Sequence, residues 1–227
     1  MNIAVILAGG KGKRMNMKGS KQLFKINGKE VFKYSLDVFC NNPLISHIIV
    51  VYNKDYKEEF EKINLLKNVS IIECGKERWE SSFNALKFIN KEFPNCKKVF
   101  IHDGARPFID AKLIKRLFDN CTKDIAIVPG IPLKDTVKQI DKDGFVVCTP
   151  DRNSLVCVQT PQLFDFKTLY NLYEKTNFNL NKVTDDSSVW ELYGKKVKII
   201  CGNLQNIKIT TKEDIEIASL YAKDYNL

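Results

Sequence analysis

Between Gly9 and Lys21 the chain reads GGKGKRMNMKGSK, so that Gly9, Gly10 and Gly12 lead into the cations Arg14 and Lys21. Glycines let backbone N–H groups gather round an anion. A guanidinium that grips two oxygens, beside a point-charge ammonium, suits a polyphosphate. The loop fits neither familiar phosphate pattern. G-x-G-x-x-G would need a third glycine at Met15, and no Gly-Lys pair is followed by Ser or Thr as G-x-x-x-x-G-K-[ST] requires. A tight turn with solvated lysines is the competing reading, and Lys11, Lys13, Lys18 and Lys25 are expected to be exposed in either case.

Two further charged residues stand out. "IHDGARP" puts Asp103 at the carboxyl end of a short apolar strand. A carboxylate there can hold Mg²⁺ against nucleotide phosphates, although an Asp-Gly pair also marks an ordinary turn. "NIKIT" places Lys208 in an expected strand between β-branched neighbours, where a charge either meets a partner or sits on an exposed face. His102 and His47 are expected to be structural.

The elements that must carry these residues alternate in type. Ile3–Leu7, Ile48–Tyr52, Val69–Glu73, Val99–Ile101, Ile125–Val128 and Val197–Ile200 read as strands. Helices are expected over Glu30–Cys40, Lys54–Leu66, Arg78–Asn90, Asp110–Cys121, Asp165–Lys175, Thr184–Tyr193 and Thr211–Lys223. Such alternation predicts an α/β fold of three layers, Rossmann-like, with a mostly parallel sheet between helices. Residues 131–160 break the rhythm. The turn signal Asp141-Lys142-Asp143-Gly144 lies between strand-like "KDTVKQI" and "FVVCTPDRNSLVCV". A projecting β-arm that pairs with a second copy of the chain, or an excursion back onto its own sheet, fits equally.

Bulk properties bound the rest. The 227 residues, 44% hydrophobic, predict one domain spanning 1–227, with residues 131–160 as an arm within it. A net charge of +9 suits nucleic acid or a nucleotide-binding enzyme, but the lysines are spread along the chain and no aromatics interleave with them on one face. No nucleic-acid partner is therefore expected. Seven scattered cysteines without a C-x-x-C pair read as small core residues in a reducing compartment. The early first strand leaves no room for a leader, and no apolar run is long enough to span a membrane. A soluble, cytoplasmic protein without a membrane partner is expected.

"LAGGKGKRM", followed seven residues beyond Arg14 by "KQ", resembles the signature of sugar-nucleotide pyrophosphorylases and cytidylyltransferases. "ECGKERWESS", "HDGARPF", "LKDTVK", "DRNSLVCVQTPQLF", "VTDDSSVWE" and "NIKIT" follow in order. Together they resemble the methylerythritol phosphate cytidylyltransferase family over nearly the whole chain. "DGARP", "KDTVK" and "DRNSL" favour it over the related ribitol 5-phosphate cytidylyltransferases. One departure is Ser20, where the family usually has proline before the Lys-Gln pair.

The resemblance implies a nucleotidyltransferase fold, CTP and 2-C-methyl-D-erythritol 4-phosphate as substrates, Mg²⁺ or another divalent cation, and a homodimer. It implies Arg14, Lys21 and Lys208 as catalytic cations and Asp103 as the residue near the metal. Ala8, Gly9, Gly10, Gly75, Ser81, Asp103 and Gly104 would bind CTP, with Gly75 and Ser81 reading the base. Asp103, Arg106, Thr136, Arg152, Thr160 and Thr184 would meet the sugar phosphate, Arg152 from the neighbouring subunit. From local sequence alone Gly75 is also a plain turn, Ser81 an ordinary helix residue, Thr160 a turn residue before Pro161 and Thr184 a helix N-cap. The nucleophile implied is a phosphate, already anionic at neutral pH, so no side chain need take its proton.

Overall fold

Strand β1 (Asn2–Leu7) explains the layering. Its odd residues Ile3, Val5 and Leu7 belong to one buried cluster and Ala4 and Ile6 to another, so both faces of the strand are apolar and both need cover. The computed structural model, which describes residues 1–10, 20–62, 68–176 and 183–225, supplies that cover with helices. One face is closed by α3 (Arg78–Glu92), α5 (Phe166–Lys175) and α6 (Asp186–Leu192) through Leu86, Leu169 and Trp190. The other is closed by α1 (Val31–Cys40) and α4 (Ala111–Asn120) through Phe32, Phe39 and Leu117. A smaller cluster around Phe108 and Ile209 lies against α7 (Lys212–Asp224).

The sheet has eight strands. β4 (His47–Tyr52) and β6 (Lys98–Asp103) flank β1 in parallel, and β5 (Val69–Glu73) extends the sheet beyond β4. Beyond β6 comes β11 (Gln162–Asp165), antiparallel to β6 and to β7 (Ile125–Pro132). β12 (Lys196–Cys201) runs parallel to β7. The mostly parallel α/β arrangement is the expected one. β11 was not expected, because "QLFD" is too short to show a period and its burial comes entirely from its neighbours.

Other departures have local causes. Asn27 and Gly28, both at positive φ, close a small hairpin of β2 (Lys25–Ile26) and β3 (Lys29–Glu30) ahead of α1. The helix expected from Lys54 opens as a 3₁₀ turn over Lys54–Tyr56 and continues as α2 (Lys57–Glu61), while residues 63–67 lie outside the described ones. Residues 206–210 form no strand. They are tied down by a bond from the Ile209 N–H to the Ala105 carbonyl, with Ile209 fully buried.

The arm returns in part onto its own sheet. β8 (Gln139–Ile140) and β9 (Val146–Cys148) form a separate two-stranded tip around Gly144, whose φ is +88°. Beyond Pro150 a 3₁₀ turn over Arg152–Ser154 interrupts the expected strand. β10 (Val156–Val158) then returns to pair with β7. No helix among the described residues is long and apolar enough to cross a membrane.

Candidate active site

Parallel neighbours end on one edge of a sheet, and here β1, β5 and β6 deliver Gly9, Gly75 and Asp103 to a common cleft of about 810 Å³. Gly9 has to be small: a Cβ on it would lie 2.4 Å from the Cβ of Cys74. Gly75 is equally constrained, 2.3 Å from the Cβ of Glu80. The Gly75 N–H donates to Ser81 Oγ at 3.1 Å, which in turn donates to the Glu77 carbonyl in the first turn of α3. Glu77 and Glu80 form a reciprocal capping box that fixes this corner.

Lys21 and Lys208 reach the cleft from opposite ends of the sequence. Lys21 Nζ donates to the Ile209 carbonyl at 3.2 Å, next to Lys208 in the chain. Gly10 lines the cleft as well. Ala8 is buried behind it, donating to the Val51 carbonyl, and the Gly104 N–H donates to Leu7. Arg14 and its neighbours at 11–19 lie outside the described residues.

Asp103 stands at the centre of the charge. Lys208 Nζ donates to one oxygen at 2.6 Å, Arg78 Nε to the other at 3.2 Å, and Arg106 Nε lies 4.0 Å away. Burial works to raise the Asp103 pKa, but Arg78, Lys208 and Arg106 outweigh it and hold the carboxyl well below the usual range. Arg78 Nη1 donates to Asp186 at 2.7 Å, and Tyr173 donates to the second Asp186 oxygen, also at 2.7 Å. Burial opposes the charge on Arg78, yet Asp186 and Asp103 raise its pKa further. Sequence reading passed over Arg78 and Asp186. The signal was an arginine in the first turn of a helix, where the macrodipole disfavours a cation unless carboxylates face it.

A second pocket of about 350 Å³ adjoins the cleft and shares Arg78, Asp103 and Lys208 with it. Arg106, Thr160 and Thr184 also line this pocket. Arg106 is pinned by bonds to the Asn206 and Val158 carbonyls at 2.8 and 3.3 Å. Thr184 is not the N-cap of α6. Asp185 caps it, accepting from the Ser188 N–H at 3.0 Å, which leaves the Thr184 side chain exposed at the pocket. Thr136 and Arg152 reach neither space. Both are exposed on the arm, where Arg152 Nη1 donates to the Lys134 carbonyl at 2.7 Å.

Thr160 is more than a turn residue. It is buried, and its Oγ1 accepts from the Asp103 N–H at 3.0 Å and lies 3.0 Å from His102 Nδ1. Nε2 of His102 meets the Arg106 carbonyl at 2.9 Å, so the set closes with His102 neutral, Nε2–H donating to Arg106 and Thr160 donating to Nδ1. As expected, His102 is structural: it ties Asp103, Arg106 and Thr160 together. His47 bonds Ser70 Oγ at 2.9 Å, on the edge of the sheet away from the arm.

Burial pushes the His102 pKa down from 6.5 to about 4. The unfolded chain therefore takes up this proton first as pH falls. Stability is fully present above pH 6.5 and is lost progressively toward pH 4, by roughly 3 kcal/mol. Urea melts across this window are expected to show a steep slope in the native chain and a flatter one in His102→Gln. Equal slopes would place the lost stability elsewhere.

No group of three or more His, Cys, Asp or Glu side chains among the described residues is arranged to hold a metal. Asp103 is nonetheless ionised and at the cleft wall. That fits a Mg²⁺ bound mainly by phosphate oxygens and water with one protein carboxylate.

The family model described as 2-C-methyl-D-erythritol 4-phosphate cytidylyltransferase matches residues 2–224. Proteins of that name from Clostridium kluyveri and Clostridium perfringens are each 43% identical to this chain, covering 96% and 97% of it and 94% and 98% of their own length. A solved 4-diphosphocytidyl-2C-methyl-D-erythritol synthase from Anaerococcus prevotii is 35% identical, with a TM-score of 0.83 over 98% of this chain and 96% of that one. A 2-C-methyl-D-erythritol 4-phosphate cytidylyltransferase from Francisella tularensis is 30% identical, with a TM-score of 0.79 over 99% of each.

Proposed function

Because the chain belongs to the 2-C-methyl-D-erythritol 4-phosphate cytidylyltransferase family, it is a nucleotidyltransferase of isoprenoid synthesis, and we propose that CTP occupies the larger cleft and the sugar phosphate the adjoining pocket. The reaction joins CTP and 2-C-methyl-D-erythritol 4-phosphate to give 4-diphosphocytidyl-2-C-methylerythritol and pyrophosphate. One observation carries the proposal: the two spaces meet at a wall built from Arg78, Asp103 and Lys208. Two polyanions can approach there only if fixed cations lie between them.

The nucleophile needs no base, so the residues act by position and charge. Gly9 and Gly10 offer backbone donors to the triphosphate, and Gly75 and Ser81 form the corner that takes the base. Arg14 and Lys21 stabilise charge growing at the α-phosphoryl group as the sugar-phosphate oxygen attacks phosphorus and pyrophosphate leaves. Lys208 faces both substrates. Arg106, Thr160 and Thr184 seat the sugar phosphate. Asp103 is the residue that would hold Mg²⁺, whose contribution when bound is to neutralise triphosphate charge.

We further propose one domain over 1–227 with the 131–160 arm as a dimerisation element, through which Thr136 and Arg152 complete the neighbour's pocket. The arm tip leaves Ile140, Phe145, Val146 and Val147 more than half exposed, the kind of apolar surface a partner covers. None of the seven cysteines forms a disulfide, which supports a reducing compartment, the cytoplasm; contrary to expectation Cys96 alone among them is buried in the core, and Cys148, Cys157 and Cys201 are exposed. Pyrophosphate release should be fast with CTP and methylerythritol phosphate and at background with ribitol 5-phosphate or no acceptor. Equal rates with the ribitol compound would overturn the acceptor assignment.

A further inference from the structure

We infer that Asp186 is a positioning residue of the transfer reaction, holding the Arg78 guanidinium on the wall shared by the two pockets. The inference rests on the assignment of those pockets to CTP and the sugar phosphate. Asp186 lines neither pocket and is fully buried. Its two oxygens accept from Arg78 Nη1 and Tyr173 Oη, both at 2.7 Å.

Arg78 is held on two edges, Nη1 by Asp186 and Nε by Asp103, while its Nη2 is buried without a hydrogen-bond partner among the described residues. Two carboxylates therefore set its orientation. Asp103 also carries Lys208, so it cannot follow Arg78 alone without disturbing that pair. Asp186 relieves it of half the task. Tyr173 is buried in α5 and fixes Asp186 in turn, so the wall is anchored in the core beneath α5 and α6 rather than in a surface loop.

Stability gives little reason for this arrangement. Buried ion pairs are commonly replaced by apolar residues without loss, because desolvation offsets the attraction. A carboxylate kept fully buried to clamp one arginine is better explained by where that arginine must stand. Without Asp186 the guanidinium can swing toward Asp103, moving a positive charge that both substrates face. A misplacement on the order of 1 Å can cost about 100-fold in rate.

The test is a double-mutant cycle on the full-length enzyme with CTP and methylerythritol phosphate, using Asp186→Asn, Arg78→Met and the double variant, with thermal melts alongside. Asp186→Asn is expected to lower kcat by about 100-fold with little change in either KM. The double variant is expected to be no slower than Arg78→Met alone, because Asp186 acts only through Arg78. Additive losses, or a native kcat in Asp186→Asn beside an impaired Arg78→Met, would overturn the inference and leave the pocket assignment standing. An unimpaired Arg78→Met would overturn both. If Asp186→Asn does not fold, Tyr173→Phe takes its place in the cycle: a fall in kcat that disappears in the Arg78→Met background is expected, and a fall that persists there refutes the positioning role.

Discussion

Lys21→Ala is expected to lower turnover by at least about 100-fold while the chain still folds, since a lost preorganised donor at developing oxyanion charge has that scale. Lys21 is half-buried on the cleft wall, and its ammonium bonds the carbonyl of Ile209. That carbonyl draws the ammonium to the cleft at no cost in charge, so the cation is in place before substrate arrives. Losing this charge-assisted bond costs about 2 kcal/mol, less than the ~5–15 kcal/mol that holds a domain together. The melting curve should therefore shift down while the chain remains folded at the assay temperature. The loss belongs in kcat measured at saturating CTP and sugar phosphate; near-native turnover would remove Lys21 from the mechanism.

Arg152→Ala is expected to raise the KM for the sugar phosphate by roughly 10- to 100-fold, the scale of a hydrogen bond to a charged group. CTP binding should hardly change. In its own subunit Arg152 is exposed on the arm and lines neither pocket, so a direct effect on KM requires a second chain. Complementation tests this directly. In a dimer of one Lys21→Ala chain and one Arg152→Ala chain, one of the two sites keeps both residues. Random 1:1 mixing should then recover about a quarter of native activity from two impaired proteins. Activity no greater than the mean of the two variants would rule out exchange of the arm.

The two results together separate what the glycine loop region does within one chain from what the arm does between chains. The His102 slope speaks to a third matter. A neutral, buried imidazole that ties Thr160, Arg106 and the Asp103 backbone together braces the smaller pocket from behind, lining neither pocket itself.

Much of this was legible in the order of residues. Short apolar strands such as Ile3–Leu7 and Ile48–Tyr52 alternating with helix-length segments announce a mostly parallel sheet, because parallel neighbours need a crossover between them. Parallel strands ending in Gly9, Gly75 and Asp103 then have to open on one edge, so the position of the cleft followed from local sequence. The polyphosphate reading of the loop likewise rests on glycine and cation at close spacing, of which the described residues place Gly9, Gly10 and Lys21 on the cleft.

Other features depended on contacts distant in sequence. β11 is a strand because β6 and β7 flank it, and Lys208 is held by Asp103 across 105 residues of chain rather than by any strand of its own. Thr184 and Asp185 are adjacent capping residues, the aspartate the stronger, and with Asp185 on the cap of α6 Thr184 is left to the pocket. Arg78 and Asp186 are 108 positions apart, so no periodicity joins them. The sequence by itself determined the parallel sheet, its ligand edge and the polyphosphate chemistry, because these rest on backbone geometry and local composition. Which buried charges meet at the shared wall was decided only by tertiary structure, since pairing between distant side chains has no signature short of the fold that brings them together.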